Sequence, residues 1–361
     1  MAEQYIKQKK YSRIVGMSHT PYDKSAPKEY CKPEGAHGLA ELDGHINPLD
    51  PNVELVLCPS ETSDERYKRK KIFIPPRRLA FCGGGVRCVA HVGVLKSLKA
   101  NGLLTCVKEV TGISAGAFFA LLYVLEYTVE QMERLATEMD FSTMGTIDPE
   151  DILLFPLTFG LNSGEGIDRL IVSVLKQKGY SADVTLGHLA KETIKFRCYA
   201  TELQTTKIKE MSARMTPDMK VVTAVRASMS FPLMFSPVRE GTSLLVDGGL
   251  LHNMPLVFLN EQEIHETLCV FFAVKPRVTA EPVEEVLNFV KYLYEAAIEM
   301  RNRPYLKKYR DRLIIVNTDE SNGLNFSETK DNRSSLINLA FKTTEEFLFH
   351  NRTPGRRFSV S

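Results

Sequence analysis

Residues 107–125 read VKEVTGISAGAFFALLYVL, and the five in the middle, GISAG at 112–116, decide how the rest of the chain is interpreted. Val107 to Val110 is a short strand-forming run. The segment AGAFFALLYVLEY after the serine has the length and apolar content of a buried helix. A Gly-x-Ser-x-Gly between strand and helix is the layout of a nucleophile elbow, a turn so tight that the flanking glycine positions have no room for a side chain. The turn exposes the serine hydroxyl at the positive end of the helix. Ser114 is therefore the candidate nucleophile.

A second glycine segment lies upstream. The strand LAFC at 79–82 runs into GGGVRC at 83–88 and then into a helix with Val86, Val89, Ala90, Val94 and Leu98 on one face. Three glycines between a strand and a helix N-terminus can turn their N–H groups toward an anion. A phosphate-binding P-loop would need Gly-Lys-Ser/Thr after its four-residue spacer, and a dinucleotide fingerprint would need glycine where Cys88 stands. Neither pattern is met. The remaining use is an oxyanion hole, with Arg87 adding positive potential.

A nucleophilic serine needs a base. In LLVDGGLLHNMP at 244–255, Asp247 ends a predicted strand and is followed by two glycines. That places it in the crevice at the carboxyl ends of strands, where open α/β sheets keep their ligands. His252 follows too closely to supply a separate loop of a Ser/Asp/His triad, and His91 reads as a packed helix residue. Two residues remain, Ser114 and Asp247, with the carboxylate taking the serine proton directly. An aspartate near its ordinary pKa of ~3.9 is a weak base, so the site has to be desolvated.

The ordered set GGGVR at 83–87, AHVGVL at 90–95, GISAG at 112–116, AVRASMSFPLMFSPV at 224–238 and DGGLLHNMP at 247–255 resembles the patatin-like phospholipase family. The resemblance spans about residues 79–275. It implies a three-layer α/β/α hydrolase with a mostly parallel central sheet, acting on acyl lipids such as glycerophospholipids. It implies Ser114 as nucleophile, Asp247 as base, and Gly83, Gly84, Gly85 and Arg87 around the oxyanion. One position departs from the family pattern, because Cys88 stands where glycine usually follows the basic residue. A positive φ there would cost a cysteine on the order of 1 kcal/mol. The dyad does not select the acyl donor, so a thioesterase, a small-ester esterase and a catalytically weak lipid-binding protein are the alternative readings.

Composition narrows the classes. The 361 residues are 43% hydrophobic and 25% charged, enough for a full core, and a net charge of +2 provides no general attraction to nucleic acid. Seven cysteines, none in a CxxC pair, read as reduced thiols of an intracellular protein, cytoplasmic or peripheral on membranes. No metal or cofactor motif is present. No apolar run approaches the ~20 residues of a spanning helix, and MAEQYIKQKKYSR at the start has no signal-peptide core. No residue pattern names a protein partner.

Residues 1–78, with eight prolines and little periodicity, read as an extended arm with a strand at Val53 to Leu57. Its last part, YKRKKIFIPPRR at 67–78, joins basic and apolar side chains and is a candidate for peripheral membrane contact. Residues 79–275 form the catalytic α/β region. Residues 276–361 read as an α/β extension packed on the same core, in which Val286, Phe289, Val290, Leu293, Ala297 and Met300 form the core-facing stripe of a helix.

Overall fold

The structure is a computed structural model and describes residues 75–273, 286–318 and 323–351. The arm strand at Val53 to Leu57 and residues 67–74 of the basic segment lie outside the described residues. In chain order the elements are β1 (Arg78–Phe81), α1 (Ala90–Ala100), β2 (Glu109–Ile113), α2 (Ala115–Val124), α3 (Val129–Glu138) and α4 (Ser142–Gly145). They continue with α5 (Pro149–Thr158), β3 (Gly160–Asn162), α6 (Glu165–Gln177), α7 (Leu186–Glu192), β4 (Lys195–Glu202) and β5 (Lys207–Ser212). Next come α8 (Val221–Ser228), β6 (Leu233–Phe235), β7 (Val238–Glu240), β8 (Ser243–Asp247), α9 (Glu261–Glu266) and β9 (Thr267–Ala273). The last are α10 (Val286–Lys308), β10 (Leu313–Asn317) and α11 (Lys330–Asn351).

The main sheet is mixed and mostly parallel. Its order is β10-β9-β1-β2-β4-β8-β7, with β5 on β4, and β10, β9, β1, β2 and β4 run parallel. Every residue of β2 is buried, the polar Glu109 and Thr111 included, as expected of a central parallel strand covered on both faces. From β1 the chain proceeds through β2 to β4 on one side, and only later adds β9 and β10 on the other. The strand order therefore reverses at β1, and the crevice beyond its carboxyl end is where such sheets bind ligands. The glycine segment 83–85 follows β1 directly, so the topology puts it at that point.

Helices cover the sheet. α1 packs against α11 and α3, while α2 lies on β2, β1 and β4. α3 begins at a capping box between Thr128 and Gln131, satisfying two backbone N–H groups that the first turn leaves open. β10 extends the sheet beyond β9, so residues past 276 contribute to the same layers.

An ion network closes the opposite end. Arg78 opens β1 and pairs with Glu109, the first residue of β2, at 3.3 Å, and with Glu266 of α9. Arg197 of β4 joins Glu109 at 2.5 Å and Glu263 at 3.0 Å. This cluster ties the amino ends of three parallel strands together, away from the glycine segments. Arg78 is thus occupied inside the fold and is not a free cation for a membrane, as the 67–78 segment suggested.

Candidate active site

The elbow forms as the spacing predicts. β2 ends at Ile113, and Ser114 takes φ 54° and ψ −138° before α2 starts at Ala115. This backbone region is sparsely populated for a residue with a Cβ and costs on the order of 1–3 kcal/mol. Packing enforces it: a Cβ on Gly116 would lie 2.3 Å from the Cys82 carbonyl oxygen, so only glycine lets α2 sit against the end of β1. The Ser114 N–H donates to Ser228 Oγ at 3.0 Å, and the Ser228 hydroxyl donates to the Tyr199 carbonyl at 2.6 Å. Ser228 lies within the AVRASMS motif, but no residue-level signal singled it out.

Sheet register delivers the base. β2 runs beside β4 until Ile113 meets Tyr199, and β8 then continues along β4 in the opposite direction, with Asp247 opposite Ala200. β5 occupies the other edge of β4 from Arg197 to Glu202. The carboxyl ends of β2 and β8 therefore meet head to head on one edge of β4, bringing Ser114 and Asp247 together. Asp247 is 1% exposed. Its carboxylate accepts a hydrogen bond from the Gly249 N–H at 2.7 Å and faces the hydroxyl donors of Ser114 and Tyr294, which favour its charged form.

Burial pushes the Asp247 carboxyl up to about 6, against the pull of those three donors. A group poised there is ionised at neutral pH yet basic enough to take a proton. Turnover on a soluble ester is expected to fall as pH drops through about 6, roughly tenfold per unit below it. In Tyr294→Phe, which loses a donor to the charged form, that acid limb moves to higher pH. A pH–rate profile of the two proteins checks both statements. An unmoved limb would remove Tyr294 from the site.

The two histidines stand apart from this pair. His91 is fully buried between Phe81 and Phe272, and its Nε2 bonds the Cys82 carbonyl at 3.0 Å. Burial lowers its pKa to about 3, so it stays neutral. His252 packs edge-on to Phe258 and Tyr305. Neither is among the partners of Asp247.

The glycine loop folds against the serine. Gly83 N–H donates to Asn253 Oδ1 at 2.7 Å, and Asn253 Nδ2 donates back to the Gly83 carbonyl at 3.0 Å. A Cβ on Gly83 would come within 2.7 Å of Ser114 Cβ. The Gly83 N–H is thus engaged, whereas the N–H groups of Gly84 and Gly85 have no acceptor among the described residues. Gly85 has φ +57°, and Val86 N–H bonds the Gly323 carbonyl at 2.9 Å, fixing the loop from outside. Arg87, expected to add positive potential here, stands at the glycine loop. Its Nε donates to the Gly84 carbonyl at 3.3 Å and its Nη2 pairs with Glu295 at 3.6 Å, so it braces the loop.

Cys88 raises no conflict. It sits in a 3-10 turn over Gly85–Val89, is fully buried, and is not among the positive-φ residues. Its Sγ lies 3.6 Å from the Cys82 carbonyl. Cys88→Gly is accordingly expected to destabilise the protein by on the order of 1.5 kcal/mol, combining backbone freedom with a lost buried side chain. Thermal or urea unfolding checks this, and an unchanged midpoint would overturn it.

The helical stripe of the C-terminal part faces the other way from the expectation. Phe289, Leu293 and Met300 are 58%, 62% and 65% exposed. The inward line of α10 is instead Tyr294, Ile298, Asn302 and Tyr305, at helical spacing, with Asn302 fully buried. Tyr294 is brought to Asp247 by this turn of the helix, its ring 4.6 Å from that of Phe231.

Between α10, α2, α4 and α6 lies a cavity of about 760 Å³ that opens on Ser114, Asp247, Gly84 and Gly85. Its walls include Phe118, Phe119, Met144, Leu170, Phe235 and Phe326. That volume and aromatic lining suit a ligand with a long apolar part. Among the described residues, no cluster of three or more His, Cys, Asp or Glu is arranged to hold a metal ion, and no helix is long and apolar enough to cross a membrane.

Elbow, opposed aspartate and glycine loop thus come together at the carboxyl ends of β1, β2 and β8. Residues 79–259 match the patatin-like phospholipase family, and the chain belongs to it. The uncharacterized protein YqhO of Bacillus subtilis is 28% identical over 74% of this chain and 96% of its own length. The probable lipid hydrolase 463L of Invertebrate iridescent virus 6 is 25% identical over 50% of this chain and 62% of its own. Among solved structures, VipD from Legionella pneumophila has the same fold, with a TM-score of 0.54, 16% identity, and coverage of 78% of this chain and 68% of that one.

Proposed function

We propose that this protein is a lipid acyl hydrolase that cleaves fatty acyl esters of glycerolipids through an acyl-serine intermediate. The observation that carries the reading is Ser114, on its strained backbone turn, set against the buried Asp247 carboxylate where both line an aromatic cavity. Asp247 takes the Ser114 proton as Oγ attacks the ester carbonyl. The developing oxyanion is met by the N–H groups of Gly84 and Gly85, donors fixed before reaction. Collapse expels the alcohol, which takes its proton from Asp247. Asp247 then deprotonates a water that attacks the acyl-serine, releasing fatty acid and regenerating the hydroxyl.

The lining of the cavity favours a long acyl chain over a small soluble ester. The test is fatty-acid release from mixed lipid vesicles by the wild type and Ser114→Ala in parallel, with a soluble acyl thioester as the second substrate. Release from vesicles that vanishes in Ser114→Ala supports the reading. Turnover confined to the thioester would move the protein to a thioesterase, and absence of labelling by a fluorophosphonate would leave a lipid-binding protein.

A further inference from the structure

α5 has no buried residue, although it is one of the more apolar helices in the chain. Ile152, Leu153 and Leu157 are 57%, 79% and 71% exposed, and Leu154, Phe159 and Leu233 extend the same patch. The run from Ile152 to Gly164 carries no charged residue, and the acids Glu150 and Asp151 sit only in the first turn of the helix. Monomeric proteins seldom leave several large apolar side chains of one short helix in water unless that surface meets something.

The patch is continuous with the wall of the cavity. α5 leads directly into β3, and β3 pairs with β6 in the register Gly160↔Leu233 and Asn162↔Phe235. Leu233 is exposed beside the end of α5, while Phe235, two residues along the same strand, lines the cavity that holds Ser114. One two-stranded ribbon thus carries the outer apolar surface at one end and the acyl-chain cavity at the other. At its edge, Arg239 stacks over Phe159 at 5.7 Å and donates to the Leu157 carbonyl at 3.4 Å. An exposed cation anchored at the rim of an uncharged apolar face complements a phosphate above a layer of acyl chains.

We infer that α5, with Phe159, Leu233 and Arg239, is a docking surface for a phospholipid bilayer, placing the cavity mouth against the source of its substrate. The inference rests on the lipid-hydrolase reading for its choice of occupant. Since the face has no lysine cluster, docking is driven by shallow insertion of leucines and holds on zwitterionic lipid, with little dependence on salt.

The experiment uses the full chain carrying Ser114→Ala, so that vesicles stay intact, and measures co-sedimentation with phosphatidylcholine vesicles. Adding Leu153→Asp and Leu157→Asp should weaken partitioning by about 30-fold or more, because two largely exposed leucines lose their burial in the bilayer. In the Ser114 background the same two substitutions should leave hydrolysis of a soluble short-chain ester unchanged. That readout keeps the two ideas separate: loss of all ester hydrolysis in the wild type would sink the enzyme reading, while vesicle binding still reports on the surface. Partitioning unaffected by the two aspartates overturns the docking surface, as does a wild type that ignores vesicles. A wild type that sediments as a dimer and becomes monomeric with the aspartates overturns it in favour of a second copy.

Discussion

Ser114→Ala and Asp247→Asn are each expected to lower hydrolysis of a soluble ester by about 10⁴-fold or more, and the double variant to be little worse than either single. Each removes one end of a single proton transfer, so the second loss finds nothing left to impair. The two differ in stability. The folded pKa of Asp247, about 6, is raised above the ordinary 3.8, so its contribution favours folding below 3.8 and is lost as pH rises through about 6. At pH 7 the wild type holds a buried charge that asparagine lacks. Asp247→Asn should therefore be more stable than wild type at pH 7, by on the order of 2 kcal/mol, with the advantage fading toward pH 4. Urea unfolding at the two pH values checks this. Substantial turnover in Asp247→Asn, with loss in His252→Ala, would move the base to the histidine and end the dyad.

Local signals made much of this site legible. GISAG has its meaning in a strand, a turn and a helix that are adjacent in sequence, and the structure places Ser114 at φ 54° between them. Asp247 could be named because a strand end beside glycines is also a local feature. What the sequence hid is long-range. Asn253 was in view within DGGLLHNMP, yet its bond to Gly83 spans 170 residues and follows from the way the turn after β8 folds back. Tyr294 was harder still. Periodicity over α10 counts Phe289, Leu293 and Met300 as the inward stripe, whereas the side that packs includes Tyr294, Asn302 and Tyr305, polar residue types that a hydrophobic pattern does not count as inward. The short β3 and β6 strands escaped for a related reason, since three residues give too few alternations to read.

The second large effect falls on Asn253. Its amide accepts from the Gly83 N–H and donates to the Gly83 carbonyl, at 2.7 and 3.0 Å, and so fixes the peptide units on both sides of Gly83. The unit after Gly83 carries the Gly84 N–H, one of the two donors assigned to the oxyanion. An oxyanion donor delivers its full effect only if it is aimed before the charge develops, and losing one costs ~10²–10³ in kcat. Asn253→Asp keeps the acceptor for Gly83 N–H, removes the donor, and sets a negative charge beside the developing oxyanion. It should lower kcat by about 10³-fold with little change in KM, because the proposed reading puts ground-state binding of the acyl chain in the aromatic cavity. Asn253→Ala loses the clamp without adding charge, and should cost nearer 10²-fold. The order of the two separates electrostatics from rigidity. If alanine proves as damaging as aspartate, the clamp acts through loop position alone. If both retain wild-type kcat, Gly84 is not an oxyanion donor.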